Sequence, residues 1–178
     1  MDTKESYAVV TGASQGLGKS FAEQLAKQKI NVILVSLPHQ NLKELSRKLE
    51  KLYAIKVQYY ETDLSVNENV MKLTEWLNQS FAIHILINNA GIDGTQKFTE
   101  ATSDYINTIL QVNVAATSLI THQLLPNLLK QPKAYILNVS SMAAFSPIGF
   151  KTVYPASKVL SIPFQEDCMK SLKVLTSL

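Results

Sequence analysis

Near its start the chain reads Tyr7-Ala8-Val9-Val10-Thr11-Gly12-Ala13-Ser14-Gln15-Gly16-Leu17-Gly18. The apolar run at residues 7–11 predicts a short buried strand. Phe21, Leu25 and Ala26 then recur at helical spacing, so a helix is expected after the glycines. Glycines permit positive φ angles and close backbone approach, and a helix start offers free N–H groups to a phosphate. The stretch therefore predicts either a phosphate-binding turn or a tight glycine turn that binds nothing.

The rest of the chain repeats this alternation of strand and helix. Apolar runs predict further strands at residues 31–36, 57–60, 83–87 and 135–139. Apolar residues at helical spacing predict helices at residues 41–52, around 70–77 and at about 103–130. Because strands that alternate with helices form parallel sheets, the pattern predicts one α/β domain with helices on both faces of a parallel sheet.

Size and composition limit the possible classes of protein. The chain has 178 residues, 46% of them hydrophobic and 17% charged, which is typical of a folded domain. The net charge is +3 and Arg47 is the only arginine, so no nucleic acid partner is expected. Cys168 is the only cysteine, which indicates a reducing compartment. We find no secretory signal and no apolar run of membrane-spanning length, so we expect a cytoplasmic protein with no membrane segment and no metal site.

Polar side chains follow three of the predicted strands at the points where they end. Asp63 follows the third strand, Asn88-Asn89-Ala90-Gly91 the fourth, and Asn138-Val139-Ser140-Ser141 the fifth. Open α/β sheets bind ligands at the carboxyl ends of their strands, so we expect one site there. Ordinary polar turns, or a helix cap for Asp63, are the alternatives. Asn113 lies on the apolar stripe of the long helix, where it either bends the helix or has a role in the site.

A second chemical signal comes near the end, in Tyr154-Pro155-Ala156-Ser157-Lys158. A tyrosine and a lysine four residues apart share one face of a helix. An ammonium beside a phenol favours the phenolate, so the pair predicts a proton donor or acceptor. A chance pair on an exposed helix is the alternative.

The end of the second predicted strand bears on nucleotide choice. Dinucleotide enzymes often carry an acid just past this strand, which binds the ribose 2′-hydroxyl of NAD. Here the residues are Ser36, Leu37, Pro38 and His39, with neither an acid nor an arginine. Because no acidic side chain is present here to repel a 2′-phosphate, the sequence favours NADP over NAD.

The motifs together resemble the classical short-chain dehydrogenase/reductase family. The resemblance covers nearly all of residues 6–158 in the family's order. It implies a Rossmann-like doubly wound fold and an NAD(P)-dependent oxidoreductase that transfers hydride between nicotinamide and a small or apolar carbonyl or alcohol. The matching pieces are residues 11–18, Asp63-Leu64, residues 88–91, Asn113, residues 138–141 and residues 154–158.

The resemblance also implies a role for each matching residue. Tyr154 would be the general acid/base and would also contact the cofactor, and Lys158 would hold the nicotinamide ribose. Ser141 would bond the substrate carbonyl, and Asn113 would anchor a water in the proton relay. Residues 91–98 and 142–153, which carry few charges, would line the substrate pocket. Phosphate contacts would come from Gly12, Ser14, Gly16, Leu17 and Gly18, adenine contacts from Asp63 and Leu64, and the adjacent ribose contact from Asn89. Ala90 and Gly91 would also bind the cofactor.

The chain departs from the family pattern after Lys158. We expect residues 1–158 to form the NAD(P)-binding domain and residues 159–178 to be a divergent tail, read in a shifted frame, with Pro163 where a helix should continue. The family's last strands would then be missing. An intact family member is expected to be a homo-oligomer, which is doubtful for this form. The alternative function is a truncated, catalytically impaired nucleotide-binding or interaction protein.

Overall fold

The computed structural model describes residues 5–146, 149–160 and 164. In that part of the chain the strands are β1 (Ser6–Thr11), β2 (Asn31–Ser36), β3 (Val57–Glu61), β4 (Ala82–Asn88) and β5 (Tyr135–Asn138). The α-helices are α1 (Gly16–Lys27), α2 (Leu42–Tyr53), α3 (Asn67–Ser80), α4 (Ser103–Leu110), α5 (Thr117–Leu128) and α6 (Val153–Val159). A π-helical segment, Gln111–Ala116, joins α4 to α5, and short 3₁₀ turns lie at Phe98–Glu100 and Met142–Ala144.

All five strands pair in parallel, in the order β3-β2-β1-β4-β5. The chain first winds outward from β1 to β3 and then crosses back to place β4 on the other side of β1. This reversal confirms the predicted doubly wound α/β fold. It also leaves a crevice at the carboxyl ends of β1 and β4, the place where such sheets bind ligands.

Apolar side chains cover both faces of the sheet, because successive residues of a strand point in opposite directions. On one face, Val9 and Ile33 join a buried cluster with leucines and isoleucines of α3 and α5. On the other, Val10 and Leu34 join a cluster with residues of α1 and α2. The helix layers are therefore held by burial of apolar surface, which confirms the prediction of helices on both faces. None of the helices in the described ranges combines the length and apolarity that a bilayer crossing needs.

Two local predictions are corrected by the structure. The long helix expected at about 103–130 contains the π-helical segment and ends at Leu128. Asp63 does not cap α3, which begins at Asn67 after Val66. Instead, Asp63 Oδ1 accepts a hydrogen bond from the Ser65 N–H at 2.8 Å, because the chain turns there before the helix begins.

Asn127 fastens α5 to the start of β4. Its Nδ2 donates to the carbonyl oxygen of Phe81 at 2.9 Å and to Asn78 Oδ1 at 3.2 Å. Its Oδ1 accepts from the Ile83 N–H at 2.9 Å. The Asn127 side chain and its bond to the Ile83 N–H are buried, so this N–H has no ready access to water as a substitute partner.

We therefore expect Asn127→Ala to lower the free energy of unfolding by about 2–4 kcal/mol, because it leaves the buried Ile83 N–H without a partner and removes the bond to the partly buried Phe81 carbonyl oxygen. Chemical denaturation monitored by circular dichroism measures the change. Asn107→Ala, on an exposed position of α4, is the matched control and should change stability by less than about 0.5 kcal/mol. Equal effects of the two substitutions would contradict this role for Asn127.

Candidate active site

The glycine loop connects β1 directly to α1. Gly12 and Gly16 have φ angles of +65° and +54°, which glycine adopts without strain. Gly18 lies at the first turn of α1, where a Cβ would overlap the carbonyl oxygen of Gly12 and come within 2.5 Å of Asn89 Nδ2. The loop is thus wound tightly on itself, and only glycine fits at Gly18.

Hydrogen bonds from the end of β4 hold this loop in place. The buried Thr11 hydroxyl accepts from the N–H groups of Asn89 and Ala90, both at 3.0 Å. Asn89 Nδ2 in turn donates to the carbonyl oxygens of Thr11 at 3.0 Å and Gly12 at 3.2 Å. Sequence reasoning assigned no role to Thr11. The sequence feature that could have indicated this role is a hydroxyl residue at the last position of a predicted strand, β1, which pairs with the strand that ends at Asn88.

A cavity of about 300 Å³ opens where β1, β2, β3 and β4 end. Two of its lining residues are bonded to each other, with Ser36 Oγ donating to Ser14 Oγ at 2.9 Å. Most of the residues predicted to bind a dinucleotide line this cavity, namely Gly12, Ser14, Asp63, Leu64, Asn89, Ala90 and Gly91. The residues that line it beyond the predicted ones are Gln15, Ser36, Leu37, Gln40, Thr62, Ile92 and Val112. Gly16, Leu17, Gly18, Tyr154 and Lys158 are not among its lining residues.

Asn113 lies in the π-helical segment and is buried. Its Oδ1 accepts from the Ile92 N–H at 2.8 Å, and its Nδ2 donates to the Ile92 carbonyl oxygen at 3.1 Å and to Ser157 Oγ at 2.9 Å. π-Helical turns inside α-helices are frequent at functional sites, and here the turn accompanies an asparagine bonded outside its own helix. Asn113 therefore joins the loop after β4 to α6.

Lys158 is buried, at 6% exposure, and is anchored to the end of β5. Its Nζ donates to the Val139 carbonyl oxygen at 3.1 Å, and Ser140 Oγ donates to the Lys158 carbonyl oxygen at 2.8 Å. A Cβ on Gly91 would lie 3.0 Å from this Nζ and 3.3 Å from Asn113 Oδ1. Burial lowers the pKa of the Lys158 ammonium, because desolvation disfavours its charge.

Tyr154 and Ser141 lie on the segments that Lys158 connects. Tyr154 is in the first turn of α6, where its carbonyl oxygen accepts from Ser157 Oγ at 2.7 Å. Ser141 is three residues past the end of β5 and caps the 3₁₀ turn at Met142–Ala144, where its Oγ accepts from the Ala143 N–H at 3.2 Å. This bond uses the hydroxyl as an acceptor, so its proton is available for another partner.

These elements are shared with a known family. The model for the short chain dehydrogenase family matches residues 6–174. The chain belongs to the short-chain dehydrogenase family. The family match continues past Lys158 to residue 174, and residues 161–163 and 165–178 lie outside the described part of the chain, so the divergent, frame-shifted tail stays a prediction.

Individual relatives of this short-chain dehydrogenase agree with the assignment. Hydroxysteroid dehydrogenase-like protein 1 of Gallus gallus is 33% identical over 85% of this chain and 46% of the relative. The very-long-chain 3-oxoacyl-CoA reductase of Rattus norvegicus is 32% identical over 92% of this chain and 53% of the relative. The chain thus spans about half the length of these curated relatives. The crystal structure of L-sorbose reductase from Gluconobacter frateurii, complexed with NADPH and L-sorbose, matches 99% of this chain and 68% of that chain, with 26% identity and a TM-score of 0.89.

Proposed function

We propose that this chain binds a nicotinamide dinucleotide and carries the proton-transfer residues of an oxidoreductase that acts on a carbonyl or alcohol. The observation that supports it most strongly is the anchoring of α6. Lys158 holds this helix to the end of β5, and Ser157 holds it to Asn113, which in turn bonds the loop after β4 at Ile92. Tyr154 is therefore carried at the same edge of the sheet as the glycine loop.

The residues at the cavity fit such a cofactor. Gly12, Ser14, Gly16, Leu17 and Gly18 form a loop whose shape depends on glycine, and the start of α1 provides N–H groups for the pyrophosphate. Asp63 and Leu64 line the cavity on the side proposed for adenine, while Asn89, Ala90 and Gly91 lie on the side proposed for the adjacent ribose. The second oxygen of Asp63 has the capacity to accept from an adenine amino group.

We assign the proton chemistry to residues of α6 and the β5 end. When bound, nicotinamide supplies or accepts the hydride. Ser141 orients the substrate by donating a hydrogen bond from its hydroxyl to the carbonyl oxygen, and it keeps its proton. In the reductive direction Tyr154 gives its phenolic proton to the developing alkoxide and becomes a phenolate, which solvent reprotonates. The Lys158 ammonium stabilises that phenolate and has two further N–H groups for ribose hydroxyls.

Asn113 takes a positioning part in this proposal. Both protons of its amide are directed at Ile92 and Ser157, so the side chain fixes the distance between the loop after β4 and α6. We also propose the family role for Asn113, which is to anchor a water in the proton relay. Its Oδ1 accepts one hydrogen bond, from the Ile92 N–H, and can accept a second from that water.

For the substrate, we propose an uncharged and largely apolar carbonyl or alcohol. Large apolar side chains are exposed on the two segments assigned to the pocket, namely Phe98, Met142, Phe145 and Phe150. The charged residues of these segments are all in ion pairs, Asp93 with Lys151 and Lys97 with Glu100, so they offer little attraction to a charged substrate.

We also propose NADP as the preferred cofactor, with NAD as the alternative. At the end of β2 the cavity is lined by Ser36, Leu37 and Gln40, and hydroxyls are suitable partners for a phosphate. The L-sorbose reductase that matches this chain was crystallised with NADPH.

We expect Leu37→Asp to weaken NADP binding by about tenfold or more and NAD binding far less, because the new carboxylate would repel the 2′-phosphate. Leu37 lines the cavity and is 50% exposed, so the substitution should leave the fold intact. Leu52→Asp, at an exposed position that does not line the cavity, is the matched control. Fluorescence titration with both nucleotides measures the change, and a parallel loss of both would refute the proposed placement.

A paired assay on the chain tests the proposed function as a whole. Cofactor binding is followed by fluorescence, and turnover is followed at the nicotinamide absorbance with a panel of apolar ketones and alcohols. Binding together with turnover is the expected result. Binding without turnover would favour the alternative, a nucleotide-binding protein that does not catalyse, and the absence of both would overturn the proposal.

A further inference from the structure

Lys151, three residues before Tyr154, contacts both an acidic side chain and the tyrosine ring. Its Nζ lies 2.7 and 2.6 Å from the two carboxylate oxygens of Asp93. The same Nζ is 5.4 Å from the centroid of the Tyr154 ring. Its side chain is only 22% exposed, whereas that of Asp93 is 60% exposed. The lysine therefore lies back against the ring, and the carboxylate covers it from the solvent side.

The position of this ion pair complements the other contacts of α6. The second half of the helix is held by Ser157 and Lys158, as described above. At its first turn, where Tyr154 lies, the side chain of Thr152 makes no capping hydrogen bond. Besides the packing of α6 on its neighbours, two polar contacts of the residues just before the helix support this end. They are the Lys151–Asp93 pair and a hydrogen bond from the Gln96 N–H to the Phe150 carbonyl oxygen at 2.8 Å.

The partner of Lys151 is itself fixed. Asp93 directly follows Ile92, whose N–H and carbonyl oxygen both bond to Asn113. The backbone next to Asp93 is thus attached to the buried π-helical segment, and the carboxylate extends from it toward Lys151. A chain of contacts runs from Asn113 through Ile92 and Asp93 to Lys151.

We propose that the Asp93–Lys151 ion pair is a positioning device for Tyr154, in which Lys151 sets the orientation of the phenol ring by a cation–π contact and Asp93 sets the position of Lys151. The cation attracts the negative face of the ring, and 5.4 Å is within the range of that attraction. The proposal deepens the function proposed above, because a general acid must be held in a narrow range of orientations to transfer its proton.

A spectroscopic test needs no turnover. The seven tyrosines of the chain are labelled with 3-fluorotyrosine, and the ¹⁹F resonance of Tyr154 is assigned by its absence in Tyr154→Phe. Lys151→Met keeps most of the side-chain volume and removes the charge, so it is expected to shift and broaden this resonance. Lys151→Arg retains a cation that can bond both carboxylate oxygens, and it should restore most of the original signal.

Two further variants make the test decisive. Asp93→Asn changes a largely exposed residue, so we expect the fold to tolerate it. It should shift the Tyr154 resonance as well. Lys72→Met removes the same charge from an exposed ion pair with Glu68 on α3, at 2.7 Å, and should leave the resonance unchanged. If neither Lys151→Met nor Asp93→Asn moves the resonance more than Lys72→Met does, the proposal is wrong.

Kinetics provide the second readout. With catalysis as proposed, Lys151→Met should lower kcat by about tenfold, while KM and the cofactor Kd change by less than about twofold, and Lys151→Arg should recover most of the loss. If Lys151→Met lowered kcat/KM mainly by raising KM, the positioning role would be overturned. An active Tyr154→Phe enzyme would refute the assignment of the general acid but would leave the resonance test of the ion pair intact.

Discussion

Replacing Tyr154 with phenylalanine is expected to lower turnover by about 10³-fold or more, because phenylalanine has no proton to give to the alkoxide. Cofactor binding should stay within a few-fold of the original, since Tyr154 does not line the cavity assigned to the dinucleotide. The measurement is steady-state turnover at saturating cofactor, together with a fluorescence titration of cofactor on the same preparation.

Tyr59→Phe is the control for this experiment. It makes the same chemical change at a partly exposed position on β3, and it should leave turnover unchanged. Retained activity in Tyr154→Phe would rule out the acid/base assignment. Loss of cofactor binding in the same variant would instead indicate that the ring supports the nucleotide site.

Gly18→Val is expected to abolish cofactor binding, with at least a 100-fold loss of affinity, and to lower the free energy of unfolding by about 1–3 kcal/mol. The first atom of any side chain at this position would overlap the Gly12 carbonyl oxygen. The loop would have to open, and the N–H groups proposed for the pyrophosphate would move with it. The space that glycine leaves is thus filled by the loop itself and not by the ligand.

Substitutions at two other glycines distinguish the effect of atomic overlap from the effect of backbone strain. A Cβ on Gly16 would have no heavy atom within 4 Å, but the residue has a φ of +54°. Gly16→Ala should therefore lower the free energy of unfolding by about 1–2 kcal/mol from backbone strain alone. Gly149 has neither feature, and Gly149→Ala should be neutral. Nucleotide titration and thermal melting of all three variants distinguish these cases. Normal binding by Gly18→Val would mean that the loop is not the phosphate site.

The order and type of the main elements could be predicted from local sequence, because strand and helix periodicities depend on residues only a few positions apart. Residues 7–18 predicted a strand, a glycine loop and a helix, and the structure has β1, the loop and α1 there. The π-helical segment was not predicted, because the apolar spacing around Asn113 is compatible with an ordinary helix. The cause of the wider turn lies outside the helix, in the bonds from Asn113 to Ile92 and Ser157.

The sequence by itself determined which residue types are available at the strand ends, and it was sufficient to group them into one expected site. Tertiary structure alone decided which of them meet. Thr11 bonds Asn89, 78 positions away, and Lys151 bonds Asp93, 58 positions away. Such pairs leave no periodic signal in the sequence, because their geometry depends on the sheet order and on how the loops after β4 and β5 meet over it. Asp63 shows the same limit, since its carboxylate could serve a cap or a turn until the start of α3 was known.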